Sequence, residues 1–326
     1  TEEFTEPPVT QAKLKEGMLF LSGNTTLKGF GKAAGIPAAT WASGGALNTA
    51  RRAYDSMNGT QSAAKLSSGY VPGASPDATP AVEDYNGTSW TETTEMNTPR
   101  YSAGASGETS ASSLVFAGYA PSAPNDYVAN TESWDGSTWT EVNDINTARG
   151  NVAGSGTKNS TLLYGGQPLT GKTESWDGTS WTETSDLNRT RMDLGGVGDN
   201  STSALAFAGL YPPNTLANHV ESWDGSSWTE VAEVNTARAY LNGTGSRDLA
   251  LAVGGGGAPP YTALTEQWNG SSWTEINDLS TARTHLGGSG SAAVGLVAGG
   301  VISTGAVNTA TEEFTADAAL STVTVS

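Results

Sequence analysis

The sequence predicts an all-β protein built from six repeated units, and three observations support this. Apolar residues make up only 36 % of the 326 residues and glycine supplies 41, which suits short strands joined by tight turns. The phrase TESWDGSTWTEVNDINTAR at 131–149 returns 42 residues later as TESWDGTSWTETSDLNRTR at 173–191. The second aromatic residue of this phrase recurs at intervals of 42 to 49 residues, at Trp41, Trp90, Trp139, Trp181, Trp228 and Trp273. A regular period of this size is typical of a repeat architecture.

Each unit is expected to form four short strands. The first strand follows an arginine that recurs at Arg51, Arg100, Arg149, Arg191, Arg238 and Arg283. The second is a short apolar run ending in glycine, such as LLYGG at 162–166. The third ends in the first aromatic residue of the repeated phrase, at Tyr85, Trp134, Trp176, Trp223 and Trp268, with Phe314 in the same context. The fourth strand begins at the second aromatic residue.

The turn between the third and fourth strands is the best marked in the unit. Asp135-Gly136 is one example, and four other units place Asp-Gly or Asn-Gly there. Such turns need positive φ angles, which glycine adopts at little cost and which Asn or Asp tolerate. Loops of two or four residues both put the flanking aromatic residues on one face of the hairpin. Their contact is worth about 0.5–1 kcal/mol beyond burial.

A closed β-propeller is the fold that these units predict. A four-stranded sheet of this size cannot bury its apolar faces alone, but sheets stacked radially around an axis bury each other's faces. Helical solenoids disagree with the Gly, Ser and Thr content and with the alternation of apolar and polar residues. A β-sandwich would not explain six equal units.

The two ends of the chain bear on the number of blades. Segment 17–45 resembles the later part of a unit, and TEEF at 311–314 lacks a following Trp. The simplest interpretation lets Trp41 complete the sheet formed by 280–315, so that strands from both termini close a ring of six blades. Seven blades are the alternative, with 17–45 and the C-terminal STVTV forming most of another. We interpret 1–16 as a linker or anchoring segment and 17–326 as the propeller.

The order of Arg, Gly-Gly, aromatic residue and Trp resembles kelch repeats over about 17–326. Kelch families form propellers of six or seven four-stranded blades, so the resemblance implies the same fold here. The phrase SWDGSSWTE at 222–230, with EGMLFLSGNTTLKGFG at 16–31 before the repeats, is similar to kelch-like virion proteins of bacteriophages, especially marine ones. This similarity implies a structural or host-contacting role on a virus particle.

Charge and composition exclude several classes of partner. The formal net charge is −17, so a phosphate backbone would be repelled and nucleic acid is not expected as a partner. No basic cluster predicts binding to an anionic membrane, and no apolar run is long enough for membrane insertion. Cysteine is absent, which excludes disulfides and thiolate chemistry.

The repeated arginines allow two interpretations. They could form a cationic ring for an anionic ligand, or each could bind backbone carbonyls and the repeat's own glutamate. These glutamates are Glu83, Glu132, Glu174, Glu221, Glu266 and Glu312. Equal numbers at a fixed offset favour the structural role. All ten tryptophans also occupy repeated positions, so we expect them to pack between blades and not to form a sugar-binding platform.

Catalysis is not expected. Galactose oxidase is also a kelch-type propeller, but its copper site needs two His, two Tyr and a Cys-derived thioether. This chain has no Cys, and its two histidines, His219 and His285, lie in unrelated parts of the repeat. No singular cluster of Asp, Glu, His or Ser interrupts the repeat. The sequence therefore predicts no enzyme activity, no metal site and no cofactor.

Candidate binding residues lie in the loops after the glycine-ended strands, which differ between units. In a four-stranded meander these loops emerge on the same face as the connections between blades. The candidates are Tyr70, Tyr119, Tyr127, Tyr211, His219 and Tyr261. A tyrosine offers an apolar ring and a hydroxyl at low entropic cost, which suits recognition of glycans or proteins. Ordinary surface variation of proline-rich turns is the competing explanation.

Together these features predict a non-enzymatic structural and binding module of a phage virion. It would decorate the head or tail, or form part of a fibre, with other virion proteins and a host-surface glycan or protein as partners. The expected location is the surface of the particle. The alternative is a carbohydrate-binding adhesin domain of a secreted or surface protein of a bacterium.

Overall fold

The computed structural model describes residues 19–22, 26–30, 39–121, 126–316 and 320–323. Six four-stranded antiparallel sheets occupy almost all of this part of the chain, and it contains no helix. The all-β class and the ring of six blades are therefore confirmed. Segment 1–16, which we interpreted as a linker, lies outside the described residues.

The strands follow one another in each blade from the axis outwards. The first strands are Met57–Thr60, Gly104–Thr109, Ala153–Thr157, Gly195–Asn200, Asn242–Gly245 and Gly287–Gly290. The second strands are Ala63–Ser67, Ser112–Phe116, Ser160–Tyr164, Ser203–Phe207, Ala250–Val253 and Val294–Ala298. The third strands are Val82–Tyr85, Thr131–Trp134, Thr173–Trp176, Val220–Trp223, Thr265–Trp268 and Thr311–Thr315. The fourth strands are Trp90–Glu92, Trp139–Val142, Trp181–Thr184, Trp228–Val231, Trp273–Ile276 and, for the sixth blade, Thr40–Ser43. We number the blades 1 to 6 in this order.

Blade 6 combines strands from distant parts of the sequence. Its fourth strand, Thr40–Ser43, pairs with Thr311–Thr315, so that Trp41 lies opposite Phe314. A separate three-stranded sheet joins Leu19–Ser22, Thr26–Phe30 and Leu320–Val323. The alternative of seven blades is wrong because Trp41 belongs to blade 6. That alternative did anticipate the pairing between the N-terminal segment and the C-terminal strand.

The Gly-Gly mark of the repeat has a structural reason, which blade 3 shows. Gly165 and Gly166 end its second strand with φ angles of 66° and 117°, in the left-handed region that glycine adopts most cheaply. This turn lets Gly166 N–H donate to Arg191 O of the next blade at 2.9 Å. Equivalent bonds of 2.8 to 3.1 Å join every blade to the next, and Gly300 of blade 6 donates to Arg51 before blade 1.

The apolar core lies between the blades. In each hairpin the two aromatic residues are directly opposite, as Trp223 is to Trp228, with ring centroids 5.3 Å apart in that pair. The Trp228 ring also contacts Tyr164 of blade 3 at 5.0 Å. Each aromatic pair therefore packs against the preceding blade, and burial of one large side chain contributes about 2–3 kcal/mol.

The two faces of the ring differ in character. On the first, the loops between second and third strands lie beside the connections between blades, as the paired backbones of Tyr101 and Tyr119 show. We call it the loop face. Two short ladders extend it, Leu210–Tyr211 with Thr215–Leu216 and Arg283–Thr284 with Val301–Ile302. On the second face the Asp-Gly turns lie beside the turns between first and second strands, as Gly178 does beside Asn159.

Candidate functional site

The six repeated arginines are buried and paired within their own blades. Arg191 is typical: its Nη2 donates to Glu221 Oε1 at 2.8 Å, and its Nη1 donates to Ala208 O at 3.1 Å and His219 O at 2.7 Å. The other pairs are Arg51–Glu83, Arg100–Glu132, Arg149–Glu174, Arg238–Glu266 and Arg283–Glu312. All six arginine side chains are at most 1 % exposed, so they form no surface for a ligand.

The tryptophans occupy the interfaces between blades. Nine of the ten are at most 7 % exposed, and Trp41 of blade 6 is half-buried. Several indole N–H groups donate across an interface, as Trp228 Nε1 does to Thr173 Oγ1 of blade 3 at 3.1 Å. Their rings are therefore packed in the core between blades, so they do not form an exposed platform for a sugar.

The six loop residues predicted from the sequence form three groups on the loop face, and all are partly buried. Tyr70, Tyr119 and Tyr127 belong to one group on blades 1 and 2. The Tyr211 ring contacts that of His219, with ring centroids 5.8 Å apart, and His219 Nε2 lies 3.9 Å from Glu233 Oε1. Tyr261 lies apart from both, where its backbone N–H donates to Ser303 Oγ at 3.1 Å.

A residue that the sequence analysis missed, Tyr101, joins the first group into one surface. Its ring centroid lies 5.2 Å from that of Tyr70, 4.9 Å from that of Tyr119 and 6.0 Å from that of Tyr54. Tyr119 in turn contacts Tyr127 at 5.6 Å. We call these five residues the tyrosine belt. The guanidinium of Arg52 borders it, 4.9 Å from the Tyr70 ring centroid.

Six residues, including Tyr54 of the belt, surround the propeller axis at the centre of the loop face. Each follows a repeated arginine by two positions, or by three in blade 1, and each has a φ angle between 52° and 56°. They are Tyr54, Ser102, Asn151, Asp193, Tyr240 and His285. Backbone hydrogen bonds link neighbours around the axis, for example Asp193 N–H to Asn151 O at 3.1 Å and Tyr240 N–H to Asp193 O at 2.9 Å. The backbone conformation is common to all six units, but the side chains are of five different types.

Asp55 closes the centre of this circle from below. Blade 1 has one more residue than the other units between its arginine and its axial residue, Tyr54, and Asp55 follows Tyr54 directly. Its Oδ2 accepts from Gly154 N–H of blade 3 at 2.6 Å, and its Oδ1 accepts from Asn242 Nδ2 of blade 5 at 3.3 Å. The side chain therefore crosses the axis. We call the space bounded by the six residues and Asp55 the axial cup; a channel lined by the first strands lies beneath it.

The acidic residues of the axial cup are buried, and burial shifts their pKa values. Burial raises the pKa of Asp193 to about 7, although the Asn151 amide, which donates to its Oδ1 at 2.7 Å, partly offsets this. Burial also raises the pKa of Asp55 well above its usual range. Burial, with a contribution from Arg52, lowers the pKa of His285 to about 3, so its imidazole is neutral at physiological pH.

The cup and the belt together provide aromatic surface and hydrogen-bonding groups at one place on the loop face. The His285 ring stacks on Tyr240 at 4.4 Å and meets Tyr54 edge-on at 4.9 Å, which continues the aromatic surface of the belt to the axis. Within the described ranges, no three His, Cys, Asp or Glu residues are grouped so that they could hold a metal ion. The same ranges include no helix long and apolar enough to span a membrane.

The signal for these axial residues was present in the sequence. The position two residues after the repeated arginine, or three in blade 1, carries Tyr, Ser, Asn, Asp, Tyr and His in the six units. The predicted candidates lie in the loops between second and third strands because those loops differ between units. The position after the arginine was expected to begin a strand of the scaffold.

Comparisons with known proteins establish similarity at the level of the fold. No family model matches the chain, and no curated protein matches it. Among solved structures, the chain is similar to one described as "Structure of YjhT", with a TM-score of 0.66 and 13 % identity. The similarity covers 86 % of this chain and 99 % of that one. At this identity the comparison supports the six-bladed β-propeller fold alone.

Proposed function

We propose that this propeller is a non-enzymatic binding and structural module of a phage virion. In this proposal it decorates the head or tail or forms part of a fibre, and its loop face contacts a host-surface glycan or another virion protein. The resemblance of its repeats to kelch-like virion proteins supports the placement on a particle. The fold itself is consistent with a binding module.

The tyrosine belt is the observation on which the binding role depends. Five partly exposed rings contact one another on one face, although nothing in the repeat requires tyrosine at those positions. Contiguous aromatic surface bordered by polar groups is typical of recognition sites for sugars and proteins. Because the rings already constrain one another, a ligand would lose little side-chain entropy on binding.

The proposal that the module is not an enzyme is supported by how its charged side chains are used. The repeated arginines and glutamates are bound to each other and to the backbone. The two histidines do not act together, because His219 contacts Tyr211 in blade 4 while His285 contacts Tyr240 at the axis. Turnover of a sugar or alcohol by metal-loaded protein would refute this part of the proposal.

A second candidate is a carbohydrate-binding adhesin domain of a bacterial surface or secreted protein, and the belt supports it equally well. The two differ in where the chain is found. Mass spectrometry of purified phage particles should detect the chain at a fixed copy number if it is a virion module. Its absence from particles, with glycan binding retained, would favour the adhesin.

Binding by the belt is tested with a variant carrying Tyr70→Ala, Tyr101→Ala and Tyr119→Ala. On a glycan array and on intact host cells we expect its binding to fall at least tenfold, which corresponds to about 1.4 kcal/mol. A matched control carries three alanines on the exposed outer strands, at Thr140, Thr182 and Thr229. Equal binding by the belt variant and the control, with both folded, would contradict the proposal.

A further inference from the structure

The size of the axial cup restricts what can enter it. Tyr54, Asn151, Asp193, Tyr240 and His285 lie around it, with Asp55 below. The volume of the cup that the centre of a water-sized group can occupy is about 20 Å³. A cavity needs roughly 10–15 Å³ by this measure to hold one water molecule, so the cup holds a single small group and not a sugar ring.

The charge of the cup favours a cation. Asp193 is 8 % exposed, its Oδ1 accepts only from Asn151, and its Oδ2 accepts no hydrogen bond from the part of the chain that the structure describes. No described lysine or arginine forms a salt bridge with Asp193 or Asp55. Arg52 of blade 1 lies against the Tyr70 ring and borders the cup, where it is near Tyr54 and helps to lower the pKa of His285, but it pairs with neither carboxyl group. A buried carboxylate without a cationic partner is costly, and a bound cation would relieve that cost.

The aromatic walls of the cup favour the same kind of ligand. The faces of tyrosine rings attract cations, and this attraction is strongest where the cation has lost its water. Tyr54 and Tyr240 are held in position by their contacts with His285, at 4.9 and 4.4 Å. Because His285 is neutral at physiological pH, it does not repel a cation.

We infer that the axial cup binds one primary alkylammonium group, with Asp193 as its carboxylate partner and Tyr54 and Tyr240 beside it. An ammonium group is about as large as the water molecule that the cup accommodates, whereas a quaternary ammonium or a guanidinium is larger. The hydrogen-bond donors of the ammonium would match Asp193 Oδ2 and the carboxylate of Asp55. The excess of acidic residues in the chain, 33 against 16 basic ones, would also favour the approach of a cation.

This inference goes beyond the proposed function, although the two sites share one residue, Tyr54. The cup is a site for a small charged group, whereas the tyrosine belt is a surface for a larger ligand. An alkylammonium group could come from a lysine side chain of a partner protein or from an amino sugar of a host glycan. In either case the rest of the ligand would extend from the axis over the loop face.

The site is tested by isothermal titration calorimetry of the whole chain with methylammonium chloride. We expect saturable binding with one site, and at least tenfold weaker binding of tetramethylammonium at equal ionic strength. Asp193→Asn should weaken methylammonium binding at least tenfold. Asp77→Asn, on the same face but outside the cup, should leave it unchanged. Equal binding of both cations, or equal binding by the Asp193 variant, would overturn the inference.

A second variant tests the site without changing the carboxylate of Asp193. Tyr240→Leu retains an apolar side chain at the cup but removes an aromatic face, so it should weaken methylammonium binding at least threefold while near-ultraviolet circular dichroism verifies folding. Binding unchanged in this variant would contradict the role of the rings. Competition by N-α-acetyl-lysine methylamide or by glucosamine then identifies the source of the ammonium. If neither competes with methylammonium, the inferred role in ligand recognition is wrong.

Discussion

Removing one repeated glutamate should destabilise the propeller far more than removing a surface charge. In blade 4, Glu221 accepts from Arg191 Nη2 at 2.8 Å, from Asn188 N–H at 2.7 Å and from Asn188 Nδ2 at 2.9 Å. Glu221→Ala removes the acceptor of all three bonds, so that Asn188 Nδ2 keeps only its bond to Trp228 O at 2.9 Å, and it leaves the Arg191 guanidinium buried without its anionic partner. Loss of one partner from a buried ion pair costs about 3–5 kcal/mol.

This free energy can be converted into a change in melting temperature. The ring spans about 280 residues, and the entropy of unfolding is about 2.1 cal/mol/K per residue, which gives about 0.6 kcal/mol/K for the whole ring. A loss of 3–5 kcal/mol therefore lowers Tm by about 5–8 °C. Equilibrium unfolding in urea measures the free energy, and calorimetry measures Tm.

An exposed ion pair whose arginine lies two residues before Arg191 in the sequence provides a matched control. Arg189 pairs with Glu230 at 2.8 Å, but these side chains are 50 % and 53 % exposed. An exposed pair contributes about 0–1 kcal/mol, so Arg189→Ala should change Tm by no more than about 2 °C. The double variant Arg191→Met with Glu221→Leu should cost less than the sum of its single changes, because no charge is left buried. A loss below 1 kcal/mol for Glu221→Ala, or one equal to the control, would refute this reasoning.

Three further predictions address other parts of the fold. Trp228→Ala should cost about 3–5 kcal/mol, measured by urea unfolding, because it opens a cavity between blades 3 and 4 and removes the bond to Thr173. Hydrogen bonds within the Asp-Gly turn lower the pKa of Asp224 to about 2. The stability that ionised Asp224 contributes is therefore present above about pH 4 and is lost as the pH falls towards 2. Asp224→Asn, which places in blade 4 the residue that Asn269 is in blade 5, should remove this pH dependence from the unfolding midpoint. The pKa of Asp193, about 7, is raised above its unfolded value, so the native chain loses stability as the pH rises from about 4 through 7; Asp193→Asn should be more stable than the native chain at pH 8, with the difference vanishing below pH 4.

The sequence predicted the scaffold well because the scaffold is repeated. Each blade has the same structural requirements, so the same residue recurs at the same place in each unit. The arginine that binds the glutamate of its own blade is an example. Trp41 could also be assigned to blade 6, because its partner Phe314 stands where a repeat has its first aromatic residue. Repetition made these assignments nearly independent of three-dimensional information.

The axial cup could not be predicted in the same way because it forms between units. Asp55 contacts Gly154 and Asn242, which lie 99 and 187 residues away in sequence, and one additional residue in blade 1 places it there. Tyr101 joins the belt only because the connection between blades passes beside the loop of blade 2. Such contacts depend on the placement of blades around the axis, and the pattern within one unit does not contain that information.

The central claim is that repeated residues hold the blades together, whereas unrepeated residues of the loop face bind a ligand. It is tested most directly by measuring host-cell binding and unfolding free energy for the same two variants. The account predicts that the three-alanine belt variant loses at least tenfold in binding while its unfolding free energy changes by less than that of Glu221→Ala. Glu221→Ala should show the reverse, binding normally wherever it is folded. Normal binding by the folded belt variant would contradict the account.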